Sequence, residues 1–165
     1  FITLSYDGTH YHGWQIQPNG DSVQQRLQES LSTLLRQTVE VVGAGRTDAG
    51  VHARMMVAHF DWDENIDGKQ LTYKLNKLLP PDIAVQEVKQ VSDELHARFS
   101  ATRRTYHYFI HIGKNPFLQA YSWQIPFALD FEKMNEAAKS LDFQNAAKYR
   151  DKMYELQKIR DKFSK

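Results

Sequence analysis

The chain contains no cysteine, which excludes disulfides, thiolate nucleophiles and cysteine-bound zinc, and leaves histidine and carboxylates as the only strong metal ligands. It has no apolar run long enough to span a bilayer, so no membrane partner is expected. No charged-then-apolar leader precedes a cleavage site, and the expected location is the cytoplasm. The chain opens inside a strand-like run, so the native protein is expected to begin slightly earlier. Charge of one sign is lacking too. The 21 Lys and Arg against 20 Asp and Glu leave a net charge of +1, so any grip on phosphates has to come from local clusters. Arg98, Arg103 and Arg104 form one such cluster, and Asp61, Asp63, Glu64 and Asp67 form its acidic counterpart elsewhere. With 41% apolar residues over 165 positions, the chain can build a core and is not expected to be disordered.

The pattern of apolar residues predicts the elements. Residues 1–6 read as a strand, and residues 7–21, polar and glycine-containing, as a long loop. Ser22 followed by Gln25 is a capping-box pattern, and Val23, Leu27, Leu31, Leu34 and Leu35 recur at helical spacing, giving a helix over about 22–37. Residues 38–42 are β-branched except for Glu40 and predict a strand; Met56, Ala58, Phe60 and Trp62 alternate as one face of another. Leu71, Leu75, Leu78 and Leu79 mark a second helix that Pro80 and Pro81 end, and residues 83–91 read as a strand. The order β-α-β-β-α-β predicts an α+β fold, a ferredoxin-like unit with one antiparallel sheet and two helices on one face. Strands over 105–112 and 121–125 begin a partial second β segment, and from Asp130 a three- and four-residue spacing predicts a C-terminal helical hairpin. The expected domains are 1–95, 96–129 and 130–165.

Residues 43–53, GAGRTDAGVHA, join two predicted strands. Glycines permit positive φ and close approach of another molecule, and here they flank Arg46, Thr47 and Asp48. Composition alone fits two readings: a ligand-facing loop presenting Arg46 and Asp48, or a tight turn with a self-capping aspartate and a solvated arginine. His10 and His12, with His52 and His59, raise a metal site, but loop histidines are common and no metal is expected.

GAGRTDAGVHA resembles the catalytic loop of the TruA-type transfer RNA pseudouridine synthases. Three other stretches resemble that family in the same order: YDGTHYHGWQIQP at 6–18, NKLLPPDIAV at 76–85 and HARFSATRRTYHYFI at 96–110. The resemblance covers about residues 1–128. It implies isomerisation of uridine to pseudouridine in the anticodon stem-loop of transfer RNA, by a homodimer without cofactor. It makes Asp48 the catalytic aspartate and Tyr106 the tyrosine that packs on the target base, where composition alone also allows a half-buried strand tyrosine. The chemistry suits these residues: the bond from ribose to uracil N1 breaks, the base turns, and it rejoins through C5 with no net redox change. An ionised carboxylate serves as nucleophile, and Arg46, two residues away, would hold Asp48 in that form. Attack at C1′ and elimination to a glycal both use this carboxylate. A base within a stem must leave the stack first, which calls for aromatic and cationic side chains. Arg98, Arg103 and Arg104 are candidate phosphate contacts.

The resemblance implies that a complete family member continues with further strands and an Arg-containing helix that close the cleft, and the synthase fold is expected to be cut short here. Residues 130–163, DFEKMNEAAKSLDFQNAAKYRDKMYELQKIRDKF, instead resemble the UVR motif, a helical hairpin that binds other proteins. The rival expectation is therefore a non-catalytic module that grips RNA through its basic residues, or a protein partner through 130–163.

Overall fold

Alternating apolar residues in the first strand set the core. A computed structural model of the chain describes residues 1–18 and 20–125. Strand β1 (Ile2–Tyr6) buries Ile2, Leu4 and Tyr6 and turns Thr3 and Ser5 to the other face. It pairs antiparallel with β3 (Ala53–His59) on one side and β4 (Ile83–Val88) on the other, while β2 (Val42–Gly43) closes the sheet beyond β3. The order β2-β3-β1-β4, with α1 (Val23–Leu35) and α2 (Gly68–Leu78) between strands, is the expected antiparallel βαββαβ arrangement. Val23, Leu27 and Leu31 of α1 and Leu71 and Leu75 of α2 join Ile2, Leu4, Ala58, Ile83 and Val85 in one buried cluster.

Local chemistry fixes the helix ends. Ser22 caps α1 by accepting the Gln25 amide at 3.3 Å, as the capping pattern predicts. Asp67 caps α2 by accepting the amides of Lys69 and Gln70 at 3.0 and 3.1 Å, so one member of the acidic cluster is a structural cap. The prolines after Leu79 end that helix.

Within this sheet, three strands differ from expectation. Residues 38–41 are not a strand, although Val39 and Val41 are buried. Helix side chains take their main-chain groups: Ser32 Oγ accepts from Val39 N, Gln28 Oε1 accepts from Val41 N, and Gln24 Nε2 donates to Val41 O. These bonds satisfy the backbone that a ladder would otherwise have served. In β3 the register slips between Leu4↔Met56 and Tyr6↔Ala53, a bulge with one extra residue on β3. Arg54 and Met55 are consequently both exposed, Met55 at 74%, where strict alternation would bury one of them. Strand β4 ends at Val88, short of the expected 91.

His59, at the end of β3, is buried and joins β2 to the turn over 96–100. It accepts the Ala97 amide at Nδ1 (3.3 Å) and is hydrogen-bonded to the Val42 backbone. The His96 ring stands edge-on to it at 4.4 Å and accepts the Arg98 and Phe99 amides at Nδ1.

Contacts divide the chain into Phe1–Tyr106 and a second unit beginning at His107. In the second unit, β5 (Ile110–Ile112) and β6 (Trp123–Ile125) form a two-stranded parallel pair. These strands are shorter than expected. The helical hairpin expected over 130–165 lies outside the described residues.

Leu4→Ala, at the doubly paired centre of the sheet, is expected to lower the unfolding free energy by about 3–5 kcal/mol in urea titration. His59 gives a pH dependence. Burial lowers its imidazole below the ordinary 6.5; His96 and the terminal amine add to this, while Asp61 and the Val42 bond oppose it. The unfolded chain takes up this proton at higher pH than the folded one. Stability present above about pH 6.5 is therefore lost as pH falls through that value, and the loss levels off below the folded pKa. His59→Gln is expected to show a shallower fall in unfolding free energy between about pH 6.5 and 5 than the native chain.

Candidate functional site

The loop between β2 and β3 carries Arg46 and Asp48, both exposed. Its main chain is fixed from outside by the long loop that follows β1. The Trp14 amide donates to Thr47 O at 3.3 Å, and the Gly50 amide donates to Tyr11 O at 3.2 Å. The Tyr6 hydroxyl and Thr47 Oγ1 are 3.0 Å apart. Within the loop, Val51 N donates to Asp48 O at 3.3 Å, closing a turn in which Gly50 takes φ +77°. Asp48 thus sits at the start of a hydrogen-bonded turn whose neighbours on both sides are tied to buried residues.

Two glycines make this approach possible. Gly13 has φ +87°, and a Cβ there would collide with the Thr47 carbonyl and press on Asp48 C. At Gly43 a Cβ would enter the Trp14 indole, which is 3% exposed and tilts against Tyr6 with ring centroids 6.2 Å apart. Trp14 also serves α1: its carbonyl accepts from Gln24 N at 3.0 Å, and Gly13 O accepts from Val23 N at 3.3 Å. These are amides that the helix itself leaves without acceptors.

A second set of anchors holds the loop that follows β1. The Tyr11 hydroxyl donates to Asp82 Oδ1 at 2.6 Å. Burial first, then this bond, raises the hydroxyl well above the ordinary tyrosine value. Burial likewise raises Tyr6, and its bond to Thr47 opposes that. His52 Nδ1 lies 3.2 Å from the Gly8 amide and 3.0 Å from Asp7 Oδ1. One nitrogen cannot serve both at once: neutral, it accepts from the amide; protonated, it pairs with the carboxylate.

Of the other residues singled out from sequence, Arg104 is brought to the loop. Its Nε and Nη2 donate to Ala44 O at 3.2 and 2.8 Å, and Nη2 also donates to Arg98 O at 2.8 Å. The Arg98 guanidinium lies 5.9 Å from the centre of the Phe99 ring. Arg103 is exposed, and Tyr106, at the end of the first unit, is 55% exposed. Thr47, Tyr6, Tyr11 and Asp82 were not picked out from sequence as site residues. All four lie within the stretches that carry the resemblance, which was the available signal. Among the described residues no group of three or more His, Asp or Glu is arranged to hold a metal ion, and no helix is long and apolar enough to cross a membrane.

Gly13→Ala tests the close approach. The variant is expected to unfold at lower denaturant, by about 1–3 kcal/mol, with faster amide exchange over 47–51. Stability and exchange equal to the native chain would show that the approach is not constrained.

A family model described as tRNA pseudouridine synthase matches residues 2–100, and one described as the UvrB/uvrC motif matches residues 132–159, beyond the described ones. The chain is 59% identical over 141 residues to tRNA pseudouridine synthase A of Bacteroides thetaiotaomicron, covering 86% of this chain and 52% of that protein. It is 56% identical over 142 residues to the protein of that name from Parabacteroides distasonis (86% and 56%), and 46% identical over 142 residues to that from Geobacter sulfurreducens (85% and 58%). The chain spans just over half the length of these curated relatives. Three of the four sequence stretches, the βαββαβ sheet and the loop they hold fall within the first unit together with the matched region, and the fourth stretch begins in that unit and runs on to residue 110; the chain belongs to the tRNA pseudouridine synthase family.

Proposed function

We propose that this chain isomerises uridine to pseudouridine in the anticodon stem-loop of transfer RNA, with Asp48 as the nucleophile. The observation that carries the reading is the loop itself: an exposed aspartate whose neighbours Thr47 and Gly50 are held by Trp14, Tyr6 and Tyr11, in a chain of this family. A fixed main chain lets a carboxylate be aimed before substrate arrives, and positioning of this kind supplies much of an enzyme's rate.

In this reading the Asp48 carboxylate takes part in breaking the bond between ribose C1′ and uracil N1. The base turns, C1′ bonds to C5, the C5 proton leaves and N1 regains a proton, so atoms and electrons balance without cofactor. Arg46 orients Asp48 and offsets its charge. Tyr106 stacks on the extruded base, where a single base–aromatic stack is worth about 1–3 kcal/mol. Arg98 and Arg103 contact phosphates. The protein works in the cytoplasm, as a homodimer, and residues 130–163 offer a surface to a protein partner.

Loss of the C5 hydrogen supplies the assay. With unmodified transfer RNA carrying tritium at uridine C5, the native chain is expected to release tritium, and Asp48→Ala to release it slower by about three orders of magnitude or more, with RNA binding kept. Tyr106→Ala is expected to lower kcat/KM by about tenfold to a hundredfold. Equal inertness of the native chain and Asp48→Ala would refute the catalytic reading.

A further inference from the structure

Arg104 belongs to a basic cluster, yet its hydrogen bonds run to main-chain carbonyls. Nε and Nη2 both donate to Ala44 O, and Nη2 also donates to Arg98 O. A guanidinium grips a phosphate bidentately through one of two forks, Nε with Nη2 or Nη1 with Nη2. Both N–H groups of Nη2 serve carbonyls, so neither fork remains. Ala44 is the last residue before the loop turns away from the sheet, and it is held from two sides: its amide donates to Val57 O at 2.8 Å, and its carbonyl receives the two Arg104 donors. The Arg104 side chain also lies over Gly45, where a Cβ would be 3.5 Å from Nε and 3.9 Å from Cδ, ordinary contact distances.

We propose that Arg104 is a positioning residue: it locks the root of the loop bearing Arg46 and Asp48 to the 96–100 turn, and it does not bind phosphate. Its catalytic consequence rests on the synthase reading; its structural role does not. Lysine keeps the charge but cannot set two donors on one oxygen, so Arg104→Lys and Arg104→Gln separate charge from geometry.

The test pairs deuterium uptake with transfer RNA binding, both on the full chain. If Arg104 locks the loop root, both variants take up deuterium about tenfold faster in peptides covering 44–52, with α1 unchanged as the control for folding. Affinity for transfer RNA, and its slope against salt, stay at the native values. In the tritium assay kcat falls by about tenfold to a hundredfold while KM holds. Unchanged loop uptake in both variants would overturn the proposal. So would a salt slope flatter by about 0.7–0.9 in Arg104→Gln but not in Arg104→Lys, which is the signature of one lost phosphate contact. A native chain that releases no tritium sinks the synthase reading alone, and the uptake measurement still decides the role of Arg104.

Discussion

The peptide groups around Trp14 join two needs that would otherwise be met separately. A helix begins with amides that have no internal acceptors, and α1 meets this shortage with the carbonyls of Gly13 and Trp14. The Trp14 amide, on the other side of the same residue, holds Thr47 O. The loop carrying Asp48 is thereby positioned from the start of α1, a helix packed on the core through Val23, Leu27 and Leu31. Moving the loop would break the bond from Trp14 N to Thr47 O, and the indole filling the space over Gly43 blocks slippage in that direction. Close packing makes such a joint behave as a fixed arrangement rather than a soft one.

Asp48 and Arg46 are nonetheless exposed. In water the attraction between such charges is weak, because the high dielectric screens it. The interactions strengthen only when something excludes the water, and in the synthase reading that something is the RNA. Rigidity of the backbone and wetness of the side chains are then complementary: the geometry is set beforehand, and the electrostatic strength arrives with substrate.

The parts of the fold legible in the sequence are those decided locally. The Ser22 cap, the leucine spacing of α1 and the prolines after Leu79 each act within a turn or two of chain, and the elements they mark are present. Strand β2 is shorter than its β-branched residues suggested because Gln24 and Gln28, more than a dozen positions earlier, take the main-chain groups of Val41. No periodicity records such a bond. The bulge in β3 and the parallel pairing of β5 with β6 are likewise properties of partners rather than of one segment. The same division runs through the site. Glycines and the resemblance pointed to the loop with Arg46 and Asp48, but the bonds from Tyr6 to Thr47, Tyr11 to Asp82 and Arg104 to Ala44 each span more than forty positions.

All the bonds named for the loop are made by residues of the first unit, Phe1–Tyr106. The loop's shape is therefore heritable as one contiguous block of sequence. A recombination downstream of Tyr106 exchanges what accompanies the block and leaves every one of those bonds encoded, whereas a crossover within it would separate residues that have to be matched to each other.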